Sequence, residues 1–428
     1  MKGISRRRFI ELTARLGMAV PLAGLMSGCR SGAGKARVVV IGGGFGGATC
    51  ARYIRQLDPA IDVTLVERRR RLITCPFSNL VLGGLRNMDD ISHGYERLSS
   101  QYGIKVIHQE AVDIDPVARR VRLQEGAVLD YDRLVVSPGI DFRWGMIEGY
   151  DEAASRIMPH AWEAGEQTTL LRRQLEAMPD GGLVLMSVPE DPFRCPPGPY
   201  ERASLIAYYL KRHKPRSRII ILDAKERFAK QDLFMEGWKR LYGDMISWVP
   251  LTQDGKVVRV NPRDMTIATE FERYRADVIN IIPPQFAGAI ARRAGLTDKQ
   301  GWCPVDYGTF ESRLHPHIHV IGDACVGDPI PKSGFAANSQ GKVCAFAIVA
   351  LLNDEPVLDP VLANTCYSLL DPDYGISVAG VYRKAGENLV GVEGAGGLSP
   401  LSAPASFRAQ EAAYTYEWYT SIIKDVLG

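Results

Sequence analysis

Two short apolar runs near the start of the chain predict buried parallel strands. Residues 37–41 (Arg-Val-Val-Val-Ile) and 62–67 (Asp-Val-Thr-Leu-Val-Glu) are rich in β-branched residues with little polar alternation, as expected of strands covered on both faces. A helix-like stretch, residues 48–57, lies between them. The order of strand, loop, helix and strand predicts the first half of a Rossmann-like α/β domain.

The loop after the first strand, Gly-Gly-Gly-Phe-Gly-Gly, has the glycine spacing of a dinucleotide-binding turn. Gly42 permits the tight turn, Gly44 lets a pyrophosphate approach the backbone, and Gly47 lets the helix pack against the strand. The helix that follows, from residue 48, directs free N–H groups at the phosphates, and Phe45 in the loop is a further predicted cofactor contact. Glu67, at the end of the second strand, can accept hydrogen bonds from ribose hydroxyls. Together these residues predict a bound dinucleotide.

Two later segments identify the predicted dinucleotide as FAD. Residues 134–139 (Leu-Val-Val-Ser-Pro-Gly) predict a strand and a tight turn at Gly139, of the type found beside FAD in flavoproteins with two dinucleotide domains. Residues 319–323 end in Gly322 and Asp323, and they are similar to the late motif whose aspartate binds the ribityl chain. Because these motifs lie far apart, we expect a second domain between them.

The inserted segment repeats the strand, helix and strand order without the glycine loop. Residues 182–188 and 218–222 predict strands, and residues 200–212 predict the helix between them. The intervening loop, residues 189–199, is rich in proline, which lacks the N–H donor that a phosphate needs. We therefore predict that this domain does not bind NAD(P)H.

The predicted fold class is α/β, with two Rossmann-like three-layer domains and a small C-terminal α+β domain. A length of 428 residues suits more than one hydrophobic core. The predicted segments are residues 1–33 for a targeting signal, 36–149 and 286–356 for a discontinuous FAD domain, 150–285 for the inserted NAD-like domain, and 357–428 for a C-terminal domain that covers the flavin and forms a partner interface.

Composition and charge restrict the expected partners. The chain is 46% hydrophobic and 24% charged, as in ordinary globular proteins. Its net charge of +3 is small, so we expect no nucleic-acid partner. We find no internal run of the roughly 20 apolar residues that span a bilayer, so no transmembrane span is expected.

The N-terminus predicts export. Residues 5–10 (Ser-Arg-Arg-Arg-Phe-Ile) match a twin-arginine signal, and a modest apolar stretch follows at residues 16–25. The predicted location is therefore the periplasm. Residues 25–29 resemble a lipoprotein cleavage box, which leaves two alternatives open: a lipid anchor on Cys29, or cleavage near Gly34.

Cys195 has the clearest chemical setting among the cysteines. It lies just before the helix predicted at residues 200–212, and a helix N-terminus lowers a thiol pKa. Glu201 falls in the first turns of that helix, either as a proton acceptor for the sulfur or as a solvated charge. Cys50 and Cys344 lie in apolar, helix-like stretches, which predicts that they are buried.

Three cysteine-bearing segments resemble one flavoprotein family. They are residues 74–79 (Thr-Cys-Pro-Phe-Ser-Asn), 194–201 (Arg-Cys-Pro-Pro-Gly-Pro-Tyr-Glu) and 364–368 (Asn-Thr-Cys-Tyr-Ser), with supporting stretches at residues 280–285, 301–306 and 331–341. In these segments the chain is similar to the flavoprotein subunit of flavocytochrome c sulfide dehydrogenase, a member of the FAD/pyridine nucleotide-disulfide oxidoreductase-like superfamily. The resemblance extends from the first strand to the tail.

The resemblance implies residue roles. Cys75 would carry FAD covalently, although Pro76 departs from the aromatic residue that some relatives have there. Cys195 and Cys366 would form a redox disulfide over the flavin, the alternatives being two unrelated thiols or a purely structural disulfide. Lys332 would lie near the pyrimidine end of the ring, with an exposed loop lysine as its alternative. The remaining predicted cofactor contacts are Val112 and Arg68, the latter with a solvated basic turn as its alternative.

The implied reaction is the oxidation of sulfide to sulfur or polysulfide. Hydrosulfide would attack the disulfide, the released thiolate would pass an electron pair to the flavin, and a c-type cytochrome subunit would take the electrons singly. The chain has no C-x-x-C-H motif, so the haem is expected on the partner. No metal site is predicted, and the alternating His315, His317 and His319 are interpreted as strand-entry residues.

Three other functions stay open. A sulfide:quinone oxidoreductase of the same superfamily would favour an amphipathic C-terminal helix at the membrane. An NADH-dependent flavin reductase is disfavoured by the proline-rich loop. A non-enzymatic flavoprotein could stabilise or reactivate a sulfur-oxidising complex.

Overall fold

The computed structural model of the protein describes residues 36–428. Short 3-10 helices occur at Asp89–Ile91, Leu251–Gln253 and Gly322–Ala324. The helices and strands up to residue 142 are β1 (Arg37–Ile41), α1 (Phe45–Leu57), β2 (Asp62–Val66), β3 (Arg71–Ile73), α2 (Ser78–Leu82), β4 (Ser92–Gly94), α3 (Glu96–Tyr102), β5 (Lys105–Ile107), β6 (Ala111–Asp115), β7 (Arg120–Leu123), β8 (Val128–Asp130), β9 (Arg133–Val136) and β10 (Ile140–Phe142).

The rest of the chain contains a second α/β segment and then a strand-rich tail. The second segment comprises α4 (Glu152–Ser155), α5 (Glu166–Ala177), β11 (Leu183–Val188), α6 (Gly198–His213), β12 (Arg218–Asp223), α7 (Gln231–Tyr242), β13 (Ile246–Val249), β14 (Arg259–Asn261), β15 (Thr266–Ala268), β16 (Arg273–Arg275) and β17 (Val278–Ile281). The final elements are β18 (Gln285–Ala287), α8 (Ala289–Arg293), β19 (Ile318–Val320), α9 (Gly334–Leu352), β20 (Val361–Asp371), β21 (Tyr374–Ala385), β22 (Asn388–Gly391), β23 (Gly397–Leu398) and α10 (Ala405–Leu427).

The FAD-domain elements form a five-stranded parallel sheet in the order β19-β9-β1-β2-β5. Val38, Val39 and Val40 of β1 are at most 3% exposed because β1 lies in the middle of this sheet. β19 comes from chain that returns after the insertion, so the sheet is completed only by residues distant in sequence. This explains why the FAD domain is discontinuous.

The inserted domain has its own four-stranded parallel sheet in the order β13-β12-β11-β17. The chain enters and leaves this domain through β10 and β18, which pair antiparallel with Ile140 opposite Ala287. Strand β18 spans the predicted boundary between residues 285 and 286, whereas β10 ends before the predicted boundary between residues 149 and 150. The strands and helices predicted from sequence are all present, with ends that differ by a few residues.

The C-terminal part is built on a long antiparallel hairpin of β20 and β21, to which β22 and β23 add. Strand β20 packs against both α6 and α9, while α10 packs against β21 and α1. The hairpin therefore contacts both Rossmann-like domains. The predicted α/β class with a C-terminal α+β domain is confirmed.

Helix α9 is, within residues 36–428, the one helix long and apolar enough to cross a membrane by length and composition. The prediction that no run has this length was wrong for α9. Half of its apolar stretch is buried inside the fold, where it packs along α1. Core packing accounts for its apolar composition, and Cys344 and Ala345 are both fully buried there.

Candidate functional site

A cleft of about 370 Å³ opens at the carboxyl ends of β1 and β9. The order of the sheet reverses between these two strands, and such switch points are where α/β sheets bind ligands. The predicted site residues in its walls are Gly42, Gly44, Glu67, Arg68, Cys75 and Gly139.

Two positions of the first loop require glycine. Gly42 has a φ of +94°, and a Cβ there would collide with the Ser137 carbonyl oxygen. A Cβ on Gly47 would collide with the carbonyl oxygen of Gly42, so α1 could not pack as it does. A Cβ on Gly44, in contrast, would meet nothing within 4 Å. The loop is therefore closely packed at Gly42 and Gly47 and open at Gly44. The first N–H groups of α1 have no side-chain cap and are available to an anion.

Glu67 is held at the wall of the cleft by the loop itself. Its Oε2 accepts a hydrogen bond from the Gly43 N–H at 2.7 Å, and its Oε1 accepts one from the Arg69 N–H at 2.8 Å. A carboxylate has further lone pairs for ribose hydroxyls. Arg68 also lines the cleft, where its guanidinium lies 3.6 Å from the Glu163 carboxylate with 57% of the side chain exposed.

Asp323 presents a buried carboxylate oxygen that lacks a donor. Among the described residues no group hydrogen-bonds its Oδ1. Burial raises the pKa of Asp323, while the cations of Arg194 and Lys332 act in the opposite direction. A ligand hydroxyl is the donor that such an oxygen requires. The glycine loop, Glu67 and Asp323 therefore fit FAD.

Six predicted cofactor contacts lie outside the walls of the cleft: Gly47, Asp323 and Lys332, and also Phe45, Val112 and Gly322. The ring of Phe45 faces Gly334, where a Cβ would be 3.3 Å away from it. Val112 does not line the cleft, but its neighbour Ala111 does. Gly322 has a φ of +77°, and this turn positions Asp323 rather than contacting the cleft itself.

Lys332 is fixed between carbonyl groups. Its Nζ donates to the carbonyl oxygens of Asp323 at 2.9 Å and Cys325 at 2.7 Å, and it lies 3.8 Å from the centre of the Trp302 ring. Burial lowers the pKa of Lys332. These contacts are not those of an exposed loop lysine. Its own carbonyl oxygen accepts the Cys195 N–H at 2.8 Å, which ties this loop to the sulfur site.

The thiols of Cys195 and Cys366 are hydrogen-bonded to each other. Cys195 lies in the loop before α6 with a φ of +58°, and Cys366 lies in β20 opposite Val378. Both are thiols in this structure, and their mutual contact makes them the candidates for a disulfide. The redox disulfide itself stays a prediction.

The prediction that a helix N-terminus lowers the pKa of Cys195 was wrong. The hydrogen bond to Cys366, burial and the nearby Glu201 carboxylate all raise the pKa of Cys195. The pKa of Cys366 is instead lowered to about 7, first by the hydrogen bond with Cys195 and then by the Lys230 cation. In the reduced pair, Cys366 is therefore the thiol that ionises more readily.

Lys230 is a site residue that the sequence did not reveal. Its Nζ donates to the Ser368 hydroxyl at 2.7 Å and to the Cys366 carbonyl oxygen at 3.2 Å. Burial lowers the pKa of Lys230, but the neighbouring Cys366 and Glu201 counteract it. No local motif marks Lys230, because only the tertiary fold brings it to β20.

Glu201 is enclosed beside the sulfur pair. Its carboxylate accepts hydrogen bonds from the Asn79 side chain and from the Leu369 N–H, both at 2.9 Å. Burial raises the pKa of Glu201. These hydrogen bonds favour the proton-acceptor role over the solvated alternative, and the carboxylate can exchange a proton near Cys195.

Cys75 and Arg194 share one wall of the cleft. The Cys75 Sγ lies 3.7 Å from the Trp162 carbonyl oxygen, to which the Arg194 guanidinium also donates. Burial opposes the charge of Arg194, but Cys75 and nearby carboxylates outweigh burial and raise the pKa of Arg194. Arg194 was not predicted as a site residue, although its place directly before Cys195 was an available signal.

The inserted domain has no free carboxylate where the FAD domain has Glu67. Asp223 ends β12 and is fully buried. Its oxygens accept hydrogen bonds from Tyr200 at 2.5 Å, Trp248 at 3.0 Å and Lys225 at 2.6 Å. Because three side chains already use this carboxylate, the arrangement supports the predicted loss of NAD(P)H binding.

The targeting signal predicted at residues 1–33 and its Cys29 lie outside the described residues. Within residues 36–428 no group of three or more His, Cys, Asp or Glu side chains could hold a metal ion. His319 is fully buried, and its Nδ1 is bonded to the Thr309 carbonyl oxygen at 2.8 Å.

Known families match along most of the described chain. The matching models are pyridine nucleotide-disulphide oxidoreductase at residues 36–169, the central part of the sulfide dehydrogenase [flavocytochrome c] flavoprotein chain at 168–283, and the flavin-binding part of flavocytochrome c sulphide dehydrogenase at 358–427. The sulfide dehydrogenase [flavocytochrome c] flavoprotein chain of Chlorobaculum thiosulfatiphilum is 65% identical over 48 residues, which are 11% of this chain and 100% of that sequence. The chain belongs to the family of flavocytochrome c sulfide dehydrogenase flavoproteins.

More distant relatives of this flavoprotein cover more of the chain. The mitochondrial sulfide:quinone oxidoreductase of Mus musculus is 23% identical over 374 residues, 82% of this chain and 80% of the relative. The sulfide-quinone reductase of Aquifex aeolicus is 34% identical over 185 residues, 42% of this chain and 41% of the relative.

Solved structures show the same fold. The X-ray structure of the Aquifex aeolicus sulfide:quinone oxidoreductase has a TM-score of 0.69 at 21% identity and covers 92% of both chains. Family membership confirms two predictions: the cofactor is FAD, and the protein is an oxidoreductase of a sulfide-oxidising flavoprotein family.

Proposed function

We propose that this flavoprotein oxidises sulfide at the Cys195–Cys366 pair and delivers the electrons through FAD to a c-type cytochrome in the periplasm. The contact between the two thiols carries the proposal. The fold brings together two cysteines from different domains, and it surrounds them with a cation, Lys230, and a carboxyl group, Glu201. Two adjacent cysteines, a cation and a carboxyl group are the groups that thiol–disulfide chemistry requires.

In the oxidised state, hydrosulfide attacks the disulfide at Cys195. The S–S bond breaks, a persulfide forms on Cys195, and Cys366 leaves as a thiolate with the electron pair of the broken bond. The thiol with the lower pKa is the better leaving group. Because Lys230 helps to hold the pKa of Cys366 near 7, the charge favours attack at Cys195 over attack at Cys366.

Glu201 provides a place for the proton of the persulfide. Its pKa is raised by burial, so it exchanges protons at a pH closer to neutrality than a solvated carboxylate does. Asn79 and the Leu369 N–H hold the carboxylate in position beside the sulfur pair.

FAD, when bound, supplies an acceptor for an electron pair that can be released as single electrons. The glycine loop and Glu67 would hold its phosphate and ribose groups, and Asp323 would accept a hydroxyl of the ribityl chain. Cys75 would carry the covalent link through the 8α-methyl group. Arg194 holds a fixed positive charge in the same wall.

The proposed acceptor is a c-type cytochrome subunit that forms a heterodimer with this chain. The strong local similarity to the flavoprotein chain of a flavocytochrome c supports it. The twin-arginine match at residues 5–10 supports export of the folded, FAD-loaded protein.

A quinone is the second candidate acceptor. Relatives that cover 72% to 82% of the chain, the Mus musculus protein among them, are named sulfide:quinone oxidoreductases. The chemistry at Cys195 and Cys366 would be the same, and only the route of the electrons out of FAD would differ.

An anaerobic titration separates these functions. The purified protein is mixed with sulfide, flavin absorbance is followed, and then a c-type cytochrome or a short-chain ubiquinone analogue is added. We expect sulfide to bleach the flavin and the cytochrome to restore its colour. Restoration by quinone alone would establish the alternative acceptor, and absence of bleaching would refute sulfide oxidation.

Acid precipitation tests the covalent link. We expect the yellow colour to remain with the precipitated protein and to move to the supernatant in Cys75→Ala. If the colour of the unaltered protein also moves to the supernatant, FAD is bound without a covalent bond.

A further inference from the structure

We propose that Cys50 and Cys344 form a second, structural disulfide that joins helix α1 to helix α9. Both side chains are fully buried, with 0% of their surface exposed, and their thiols are hydrogen-bonded to each other. They lie far apart in sequence, so the fold alone brings them together. Nothing in the proposed sulfide chemistry uses this pair.

The two helices pack closely where the cysteines face each other. A Cβ on Gly341 of α9 would be 3.3 Å from the backbone nitrogen of Cys50 and in tighter contact with the Gly46 carbonyl oxygen. One turn away, the Asn338 Nδ2 donates to the Thr49 hydroxyl at 2.9 Å. A disulfide needs a short Cβ separation, and helices that pack this closely meet that requirement more readily than helices spaced by large side chains.

Burial separates this pair from the pair that handles sulfide. Cys195 and Cys366 are partly exposed, whereas Cys50 and Cys344 are inaccessible in the native fold. Disulfides are broken by attack of a thiolate or hydrosulfide on sulfur, so access decides which one reacts. A protein that is exposed to hydrosulfide therefore retains a structural disulfide only where hydrosulfide has no access to the sulfur atoms.

Formation of the bond requires an oxidant, which we identify as a disulfide of an oxidising compartment. The thiols of Cys50 and Cys344 give up two protons and two electrons by thiol–disulfide exchange, one S–S bond forms between them, and the oxidant leaves as two thiols. Because the pair is buried in the folded protein that is exported, the exchange takes place after export, when a local opening lifts α9 from α1.

The cross-link would hold the cofactor site together. Helix α1 begins at the glycine loop of the FAD cleft, and α9 begins at Gly334, against the ring of Phe45. A bond between α9 and α1 would keep the N-termini of the two helices in the same relative position. It would also lower the conformational entropy of the unfolded chain. The expected benefit is retention of FAD when the protein is heated.

Peptide mapping tests the bond directly. The exported protein is denatured without reductant, free thiols are blocked with N-ethylmaleimide, and the digest is analysed by mass spectrometry. We expect a cross-linked peptide containing Cys50 and Cys344, even after native incubation with sulfide that reduces the Cys195–Cys366 pair. Full alkylation of both residues in protein that had not met reductant would overturn the proposal.

Variants supply a second measurement that does not depend on mapping. If the bond exists, Cys50→Ala, Cys344→Ala and the double variant should each lower the Tm by about the same amount, roughly 5 °C. Two independent thiols would give additive decreases instead. Equal decreases support the cross-link, and additive ones contradict it. FAD release on heating, followed by flavin fluorescence, should shift in parallel.

Discussion

The two Rossmann-like domains share one order of elements but differ in the loop after the first strand. In the FAD domain this loop is glycine-rich, with Gly42 at positive φ and Gly44 facing open space. In the inserted domain it is proline-rich, and it holds Cys195 at positive φ with its N–H bonded to Lys332. The same edge of the scaffold therefore carries two kinds of chemistry.

The two loops differ in whether their backbone N–H groups are still free to bind a ligand. Helix α1 begins without a side-chain cap, so its first N–H groups remain available to a phosphate. Before α6, the Gly198 N–H is already bonded to the Cys195 carbonyl oxygen at 2.8 Å, and the neighbouring prolines have no N–H. A loop that uses its donors internally cannot bind a dinucleotide, but it can fix a sulfur atom.

The largest expected effect concerns the sulfur of the second loop. Cys195→Ser should slow flavin bleaching by sulfide at least ~1000-fold, because no disulfide remains for hydrosulfide to attack. The FAD content should not change, because the glycine loop is intact. Stopped-flow absorbance measures both, with Cys303→Ala as a buried-thiol control. Bleaching within tenfold of the normal rate would contradict the role of the pair.

The next effect concerns the glycine of the first loop. Gly42→Ala should reduce bound FAD at least ~10-fold, because the added methyl group strains the backbone and collides with the Ser137 carbonyl oxygen. Gly126→Ala is the matched control, since Gly126 also has a positive φ but a Cβ there would meet nothing within 4 Å. The ratio of flavin to protein absorbance is the measurement. Equal FAD content in both variants would show that FAD binding does not depend on the conformation of Gly42.

A smaller effect is expected from Lys230. The Lys230 cation lowers the pKa of Cys366, so Lys230→Met should raise that pKa, by about one unit. The thiolate fraction near pH 7 would then fall roughly 5-fold, and the pH profile for alkylation of the reduced protein would move to higher pH. Lys230→Arg should restore most of the normal profile. An unchanged profile in Lys230→Met would assign the low pKa to the Cys195 hydrogen bond alone.

The smallest effect on activity is expected from Asp223. Asp223→Asn weakens the hydrogen bonds from Tyr200, Trp248 and Lys225 in the interior of the inserted domain, which should lower the free energy of unfolding by about 2 kcal/mol. FAD content and sulfide-dependent bleaching should stay unchanged, and NADH should reduce neither form. Denaturant unfolding with Glu190→Gln as an exposed control provides the test. Reduction of the unaltered protein by NADH would contradict the prediction that the inserted domain, with its proline-rich loop, does not bind NADH.

The glycine loop could be predicted because its residues are contiguous and each glycine has a local steric reason. The sulfur site could be predicted only in part. Cys195 was recognised from its loop, but the predicted direction of its pKa shift was wrong, because the partner thiol of Cys366 arrives from a distant segment. A helix N-terminus seen in sequence does not show which neighbouring group takes the hydrogen bond.

Two other features depended equally on tertiary contact. Cys50 and Cys344 were predicted to be buried, and they are, but their mutual contact follows from the packing of α1 on α9. The long apolar helix α9 passed unnoticed because its small residues serve close helix packing and give a weak pattern in sequence.

The placement of β20 has a consequence for when activity arises. This strand carries Cys366 and packs against both α6 and α9. A chain whose terminal hairpin has not docked already possesses the glycine loop, yet it presents Cys195 without a partner. Under the proposed function, competence toward sulfide therefore requires the terminal hairpin to be docked, so activity reports that all parts of the molecule have assembled.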